Sequence, residues 1–210
     1  MNRVRTHYDP AGIEPRAFYR MLNSVIVPRP IAWVSTRSAD GIDNLAPHSF
    51  FTVACVSPPV VQFTSVGRKD SLANVEATRE FVVCFAPEAL FEEVNATGTD
   101  FPHGVSEFDA VGLEREASAK VTPPRVAASP AALECRLHTT LSFGDSTVVF
   151  GRVLHAVVST GVLEDGRPEV RRLKPLSRLG ANEWGTHGEI REITRIGHGA
   201  WPGHYRPAPG

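Results

Sequence analysis

The sequence has little of what several common classes of protein need. It contains three cysteines, Cys55, Cys84 and Cys135, which lie far apart and form no CxxC pair. Such spacing argues against a disulfide framework and against a cysteine-based metal site. Each cysteine falls in a strand-like run, and we therefore expect all three to be buried thiols.

Long apolar runs and an excess of one charge are also missing. No apolar stretch follows the arginines near the N-terminus, and no segment approaches the roughly 18 apolar residues that a membrane span requires. Lys and Arg number 22 against 23 Asp and Glu, which leaves a net charge of -1. We therefore expect a cytoplasmic protein with no membrane partner and no nucleic-acid partner.

Several motifs of catalysis and cofactor binding are absent. No strand is followed by GxGxxG and a helix, which argues against a Rossmann dinucleotide domain, and no GxSxG nucleophile elbow occurs. His187, His198 and His204 stand at irregular spacing near the C-terminus, unlike the compact patterns of metal sites. We therefore expect no bound metal.

Short strands and tight turns are what the sequence does contain. With 210 residues, 42% of them hydrophobic, the chain is long enough for one sizeable core followed by a tail. Apolar runs bounded by Gly, Pro and Asp predict strands over residues 31–36, 44–55, 60–65, 80–86, 133–143 and 148–159. This pattern favours a mainly β protein built on a closed antiparallel barrel.

Few helices are expected beside these strands. Helical spacing of apolar residues predicts a helix over 15–24, a second that Asp70 caps, with Leu72 and Val75 facing inward, and a third that begins at Pro87. Residues 97–130 form a loop-rich excursion with one helical turn near Glu107. Long irregular segments of this kind often cover a site or a neighbouring subunit.

A series of separated motifs resembles one known family. In chain order they are 28–36 (PRPIAWVST), 44–51 (NLAPHSFF), 57–59 (SPP), 68–71 (RKDS), Asn74, 80–83 (EFVV), 106–108 (SEF), 112–113 (GL), 134–135 (EC), Gly151 and 175–180 (PLSRLG). Their order and spacing resemble the flavin reductase-like family of FMN-binding split-barrel proteins. The resemblance covers roughly residues 15–180. We assign residues 1–180 to this domain and 181–210 to a C-terminal loop or arm whose role stays open.

The resemblance implies an antiparallel Greek-key split barrel that forms a homodimer and binds FMN near the subunit interface. Typical members pass electrons from NADH or NADPH to flavin, while relatives act as flavin-containing electron carriers. We therefore expect an oxidoreductase that transfers a hydride from NAD(P)H to flavin and supplies reduced flavin to a partner oxygenase. Two alternatives stay open, namely an FMN-loaded electron carrier reduced by a protein partner and a noncatalytic flavin-binding protein.

The 68–71 motif is the candidate phosphate site. Arg68 and Lys69 supply positive charge, and a helix that begins near Ser71 supplies free backbone N–H groups. Ser65 and the Ser71 hydroxyl add hydrogen-bonding groups. Asp70, between Lys69 and Ser71, belongs to the same candidate site. The alternative is an ordinary solvated basic turn in front of a helix.

The 44–49 segment is the candidate site for the flavin ring, since the resemblance places it against the flavin. Asn44 and Ser49 offer polar side chains, and the passage through Ala46, Pro47 and His48 offers backbone groups beside the polar edge of the ring. Backbone donors suit this task because they neither titrate nor move.

Each of the other candidate cofactor-binding residues also has a purely structural explanation. Ser35 and Thr36 either face the cofactor or serve the nearby turn, and the same choice applies to Asn44. Arg29 either reaches the cofactor or pairs with a carboxylate, and His48 either contacts the flavin or packs beside it. Because the flavin carries out the bond-making in hydride transfer, we nominate no catalytic residue.

Overall fold

Strands dominate the computed structural model, which describes residues 4–205. They are β1 (Arg29–Pro30), β2 (Ala32–Arg37), β3 (Asp43–His48), β4 (Phe51–Cys55), β5 (Val60–Val66), β6 (Glu80–Phe85), β7 (Arg115–Glu116), β8 (Arg125–Val126), β9 (Ala131–Phe143), β10 (Ser146–Val158), β11 (Leu163–Glu164), β12 (Arg167–Pro168), β13 (Ser177–Arg178) and β14 (Trp184–Gly185). The long β9–β10 hairpin turns at Gly144, whose φ of 57° suits glycine. This hairpin confirms the prediction for 133–159.

Helices are few and short. They are α1 (Pro15–Val25), α2 (Asp70–Thr78), α3 (Phe91–Ala96), α4 (Glu107–Val111) and α5 (Val170–Leu173), with single 3-10 turns at Pro10–Gly12, Glu88–Leu90, Thr160–Val162 and His198–Ala200. The inward positions predicted for Leu72 and Val75 of α2 are confirmed, since both are buried. The prediction that Asp70 caps α2 is wrong, because Lys69 holds the N-cap position and Asp70 is the first helical residue.

Seven strands form one antiparallel sheet in the order β3-β2-β6-β9-β10-β5-β4. The predicted single strand over 44–55 is wrong: it is two strands, broken at Ser49 and Phe50. β3 and β4 are consecutive in the chain yet lie at opposite ends of the strand order. Two residues span only a few ångströms, so the sheet must curl until its two edges meet. The predicted mainly β barrel is confirmed.

The core has two parts because both faces of β2 are buried. Side chains alternate along a strand, and Ala32 and Val34 therefore pack inside the barrel with Phe63 and Phe81. Trp33 points the other way, into a second cluster that α3 and α4 cover. Because both faces of the strand are buried, its sequence is a continuous apolar run over residues 31–34 and does not alternate with polar residues.

A small sheet joins the two ends of the domain. β13 pairs antiparallel with both β1 and β14, and Trp184 of β14 packs edge-on against Phe91 with ring centroids 5.2 Å apart. Two residues of the predicted arm, 184–185, therefore form a short strand. Residues 1–3 of the predicted domain and 206–210 of the predicted arm lie outside the described residues.

The cysteines divide into two groups. Cys84 and Cys135 are buried, as predicted, and burial raises the pKa of each thiol to about 12. The prediction is wrong for Cys55, which is exposed at the end of β4, an edge strand whose residues mostly face outward. Within residues 4–205, no helix combines the length and apolar character that a membrane crossing requires.

Candidate functional site

A groove of about 480 Å³ opens between β3, β5, the N-terminus of α2 and the segment that follows α3. Its size lies within the roughly 300–1,000 Å³ of small-molecule sites. Most of the residues predicted to bind a cofactor line it. They are Asn44, Ala46, Pro47, His48, Ser49, Ser65, Lys69, Asp70 and Ser71. The fold thus brings the two predicted binding segments, 44–49 and 65–71, to one place.

The start of α2 forms one end of the groove. Its N-cap residue, Lys69, has no side-chain capping bond, so the first N–H groups of the helix have no side-chain partner and carry the positive end of the helix dipole. Ser71 hydrogen-bonds with the Asn44 amide at 3.1 Å, while the Ser65 hydroxyl donates to the Gly67 carbonyl at 2.9 Å. Positive potential and polar groups are therefore concentrated at this end.

A carboxylate faces Lys69 across the groove. Lys69 Nζ lies 2.8 Å from Asp100 Oδ1, and the hydrogen bond from Lys69 lowers the pKa of Asp100. Both side chains are more than half exposed, so water and salt screen the pair and its net stabilisation is small. An anion entering the groove would compete with Asp100 for Lys69.

His48 lies on the groove wall formed by β3. Its ring packs on Phe63 with centroids 4.7 Å apart, and Nδ1 lies 3.4 Å from the Thr64 carbonyl oxygen. Since a carbonyl only accepts, Nδ1 carries the proton in this contact and Nε2 is an acceptor. Burial lowers the pKa of His48 to about 4, so the ring is neutral at pH 7.

Nε2 of His48 is an unsatisfied acceptor. Among residues 4–205 this buried nitrogen has no hydrogen-bond partner. A buried polar atom left without a partner costs free energy, and such atoms in a native structure call for an explanation. An N–H donor on a molecule bound in the groove supplies one.

Glu107 lies beneath the groove at the start of α4. It is 7% exposed, and its Oε2 accepts from the Leu45 backbone N–H at 2.8 Å. Burial is the main cause that raises its pKa. The carboxylate therefore fixes the backbone of β3 directly under the predicted ring-binding segment.

The sequence did not single out several groove residues. These are Tyr19, Thr64, Thr97, Asp100 and His103. Most of them come from the loop-rich stretch after residue 96, which the sequence identified only as a segment of the kind that often covers a site. No local pattern marks individual residues in such a loop, because they reach the groove through long-range packing.

Four predicted residues do not line the groove, namely Arg29, Ser35, Thr36 and Arg68. Ser35 and Thr36 are both buried, and Thr36 Oγ1 accepts from the Asn74 amide of α2 at 3.1 Å. Arg68 lies on the surface and pairs with Glu76 at 2.6 Å. Their predicted contacts with a cofactor stay predictions.

Arg29 is buried beside the groove. Its guanidinium donates to the backbone carbonyls of Asn23, Ile26 and Leu179, and no carboxylate among residues 4–205 forms an ion pair with it. Its Nε lies 3.5 Å from Ser49 Oγ. Arg29 thus ties α1 to the small sheet, next to the groove wall.

The two ends of the groove suit different parts of one ligand. A helix N-terminus with a lysine suits an anionic group, whereas walls that include Ala46, Pro47 and Phe50 suit a flat apolar body. An antiparallel barrel with such a groove is the arrangement that the resemblance to split-barrel proteins predicts.

Sequence and structure comparisons identify the family. Residues 23–174 match the model of the flavin reductase like domain, and the chain belongs to this family, as the motifs predicted. An uncharacterized protein of Deinococcus radiodurans is 35% identical over 209 residues, which cover 93% of this chain and 92% of that protein.

Two crystal structures are similar over nearly the whole chain. Nitrilotriacetate monooxygenase component B from Bacillus cereus has a TM-score of 0.88 at 28% identity, covering 91% of this chain and 100% of that chain. The 2-nitrobenzoate 2-nitroreductase of Pseudomonas fluorescens has a TM-score of 0.86 at 27% identity, covering 98% and 100%. The predicted flavin reductase-like split barrel is confirmed, and the chain is a flavin reductase-like oxidoreductase.

Proposed function

We propose that the protein binds FMN in the groove and catalyses hydride transfer from NADH or NADPH to the flavin. One observation carries this proposal: a single groove contains both an uncapped helix N-terminus beside Lys69 and an apolar slot. That slot ends at the unsatisfied acceptor of His48. FMN combines the matching groups, a phosphate on a flat apolar ring system whose polar edge carries an N–H.

The phosphate would bind at the start of α2. Lys69, the first backbone N–H groups of the helix and the hydroxyls of Ser65 and Ser71 form its donor set. Asp70 and Asp100 also line this end. Their negative charges repel a phosphate. The affinity for FMN therefore depends on whether Lys69 breaks its ion pair with Asp100 and binds the phosphate instead.

The flavin ring would lie along the 44–49 segment. Ala46 and Pro47 offer apolar contacts, while Asn44, His48 and Ser49 offer polar groups along one edge. Nε2 of His48 fits the ring N–H because it is buried, unpartnered and an acceptor. The residues present thus fit the cofactor that the family implies.

FMN, when bound, supplies the two-electron acceptor chemistry. The contribution of the chain is to hold the ring, orient the nicotinamide against it and exclude water from the contact. His48 stays neutral at pH 7 because burial lowers its pKa to about 4. Its Nε2 would therefore accept a hydrogen bond from the flavin ring and hold that ring in place, without donating a proton. No general acid or base is needed.

We also propose a cytoplasmic homodimer that supplies reduced flavin to an oxygenase. Apolar side chains stay exposed around β4 and the end of α1, among them Val25, Ile26, Val53 and Val56. Exposed apolar groups so concentrated mark a protein interface. The similarity to a monooxygenase component B supports an oxygenase as the recipient of the electrons.

The test is anaerobic stopped-flow spectroscopy of the FMN-loaded protein near 450 nm, with NADH and NADPH in separate experiments. We expect fast bleaching by one of the two nucleotides, which also identifies the donor. Flavin that stays bound and oxidised with both nucleotides would refute the hydride transfer. Reduction by a ferredoxin-like protein would then indicate an electron carrier, and inertness a flavin-binding protein.

A further inference from the structure

A second pocket of about 600 Å³ adjoins the flavin groove, and the two share Tyr19 and Ser49 as lining residues. Its walls come from α1, the start of the small sheet and the turn that follows β13. Four arginines and no carboxylate line it, and the arginines are Arg16, Arg20, Arg29 and Arg178. In a chain with a net charge of -1, this concentration of positive charge is local.

One wall of the pocket is a single face of α1. Arg16, Tyr19, Arg20 and Asn23 follow the i, i+3, i+4, i+7 spacing of a helix face. Like charges at i and i+4 destabilise a helix by a few tenths of a kcal/mol. Arg16 and Arg20 have this arrangement, and neither forms an ion pair among the described residues.

The opposite wall holds the other two arginines. Arg178 stacks over the Trp184 ring at 4.5 Å and donates to the Ala181 carbonyl at 3.0 Å, so its guanidinium is held in place. Arg29 is only 7% exposed, and its pKa is lowered by burial and by the nearby charge of Arg178. Neither residue has an ion-pair partner within residues 4–205.

Arginines elsewhere in the described chain are mostly paired. Those with a carboxylate partner are Arg37, Arg68, Arg115, Arg125, Arg136, Arg171, Arg172 and Arg191. The pocket therefore gathers cations that the fold leaves without anions, at a place continuous with the groove. An anion that binds there would offset the repulsion among them.

We propose that this arginine pocket binds the phosphate groups of the nicotinamide dinucleotide whose nicotinamide end enters the flavin groove. The proposal rests on the proposed function and extends it to the donor. Arginine binds phosphate oxygens with two parallel hydrogen bonds, which Arg16, Arg20 and Arg178 can supply. Arg29 adds positive charge, since its own donors are taken by backbone carbonyls. This charge matches a diphosphate better than a single carboxylate. The volume of the pocket also exceeds what a carboxylate needs and admits part of a nucleotide.

The experiment uses ADP-ribose, which has the diphosphate but no nicotinamide, so binding is measured without any hydride transfer. Isothermal titration calorimetry with the FMN-loaded protein gives the Kd for the wild type and for the Arg16→Gln/Arg20→Gln variant. Both positions are exposed, and glutamine is nearly as good a helix former as arginine. We expect binding at least about tenfold weaker in the variant, with FMN affinity and thermal stability unchanged.

A matched control removes the same charge elsewhere. Arg152 and Arg167 are exposed and line neither the pocket nor the groove, and the Arg152→Gln/Arg167→Gln variant should bind ADP-ribose as the wild type does. Equal weakening in both double variants would overturn the proposal, because it would reflect overall charge. Inorganic phosphate that binds as tightly as ADP-ribose would overturn the assignment to a nucleotide, and so would the absence of ADP-ribose binding at millimolar concentration.

Failure of this inference can be separated from failure of the proposed function. If NADH or NADPH reduces the flavin but the Kd for ADP-ribose is the same in the wild type and in the variant, the pocket assignment is wrong and the function stands. If neither nucleotide reduces the flavin while ADP-ribose binds through the arginines, the pocket is a nucleotide site and the hydride transfer is refuted.

Discussion

Lys69 Nζ and Asp100 Oδ1 lie 2.8 Å apart across the mouth of the flavin groove. The cation proposed to bind the FMN phosphate thus has an anionic partner in the protein itself, supplied from 31 residues further along the chain. A phosphate that carries up to two charges must displace this carboxylate. On the proposed function, the pair would therefore set the affinity of the groove for phosphorylated flavin.

Replacing Asp100 should strengthen FMN binding. Asp100→Asn removes a negative charge that repels the phosphate and frees Lys69, and we expect the Kd for FMN to fall about three- to tenfold. Fluorescence titration of the flavin measures the change, with riboflavin as the ligand that should not respond. Asp40→Asn, at an exposed position outside the groove, should leave both affinities unchanged. A Kd for FMN that rises in Asp100→Asn would contradict this account.

Removing the lysine should have the opposite effect on FMN. Lys69→Ala deletes a charge-assisted hydrogen bond worth about 1.5–3 kcal/mol, so the Kd for FMN should rise at least about tenfold while riboflavin is little affected. Arg152→Ala serves as the control, since Arg152 is exposed and does not line the groove. If the two flavins weaken equally in Lys69→Ala, the lysine does not contact the phosphate.

The buried His48 should make stability depend on pH. Its folded pKa is about 4, below the value of about 6.5 for an unfolded histidine. Between these values the unfolded chain binds the extra proton, so stability rises with pH and is lost as the pH falls from about 6.5 towards 4.

Urea unfolding of the flavin-free protein at pH 7 and pH 4.5 measures this effect. We expect His48→Gln to lose less stability on acidification than the wild type does, by on the order of 1–3 kcal/mol. His138→Gln, at an exposed position of β9, should behave as the wild type. An identical loss in the wild type and in His48→Gln would show that His48 does not carry the dependence.

Gly151 should not tolerate a side chain. A Cβ at this position of β10 would lie 2.1 Å from the ring of Phe81, which is fully buried. Gly151→Ala therefore forces Phe81 to move, and we expect a loss of about 1–3 kcal/mol of unfolding free energy. Gly161→Ala is the control, because its Cβ would meet nothing closer than 3.8 Å. Thermal or urea unfolding that ranks the two variants equally would refute the packing argument.

The sequence predicts most of the elements because their signals are local. The β9–β10 hairpin follows from two long strand-like runs around Gly144-Asp145, and α2 follows from apolar spacing behind the 68–71 motif. The break at Ser49 and Phe50 has only a weak local signal, Pro47, which itself lies within β3. It arises because the chain must pass from one edge of the barrel to the other, which is a property of the whole sheet.

The same distinction applies to the site. Lys69, Ser71 and the 44–49 segment belong to motifs and could be named in advance, although their contacts with flavin stay predictions. Asp100 could not, because it reaches Lys69 by packing over 31 residues of sequence. Glu107 belongs to the 106–108 motif, but its bond to the Leu45 backbone spans 62 residues and has no local signal. The role of Arg29 was equally hidden, since its three carbonyl partners belong to segments that meet only in the folded chain.

A hydrogen bond between Trp33 and Thr97 separates the buried part of the groove wall from an exposed loop. Trp33 Nε1 donates to Thr97 Oγ1 at 2.8 Å inside the protein. This bond anchors Thr97, the last buried residue before the loop over 98–105. Beyond Thr97 that loop is mostly exposed. For protein engineering, the loop is therefore a replaceable segment, and libraries randomised at 99 and 101–103 would vary access to the groove while Asp100 and the barrel stay unchanged.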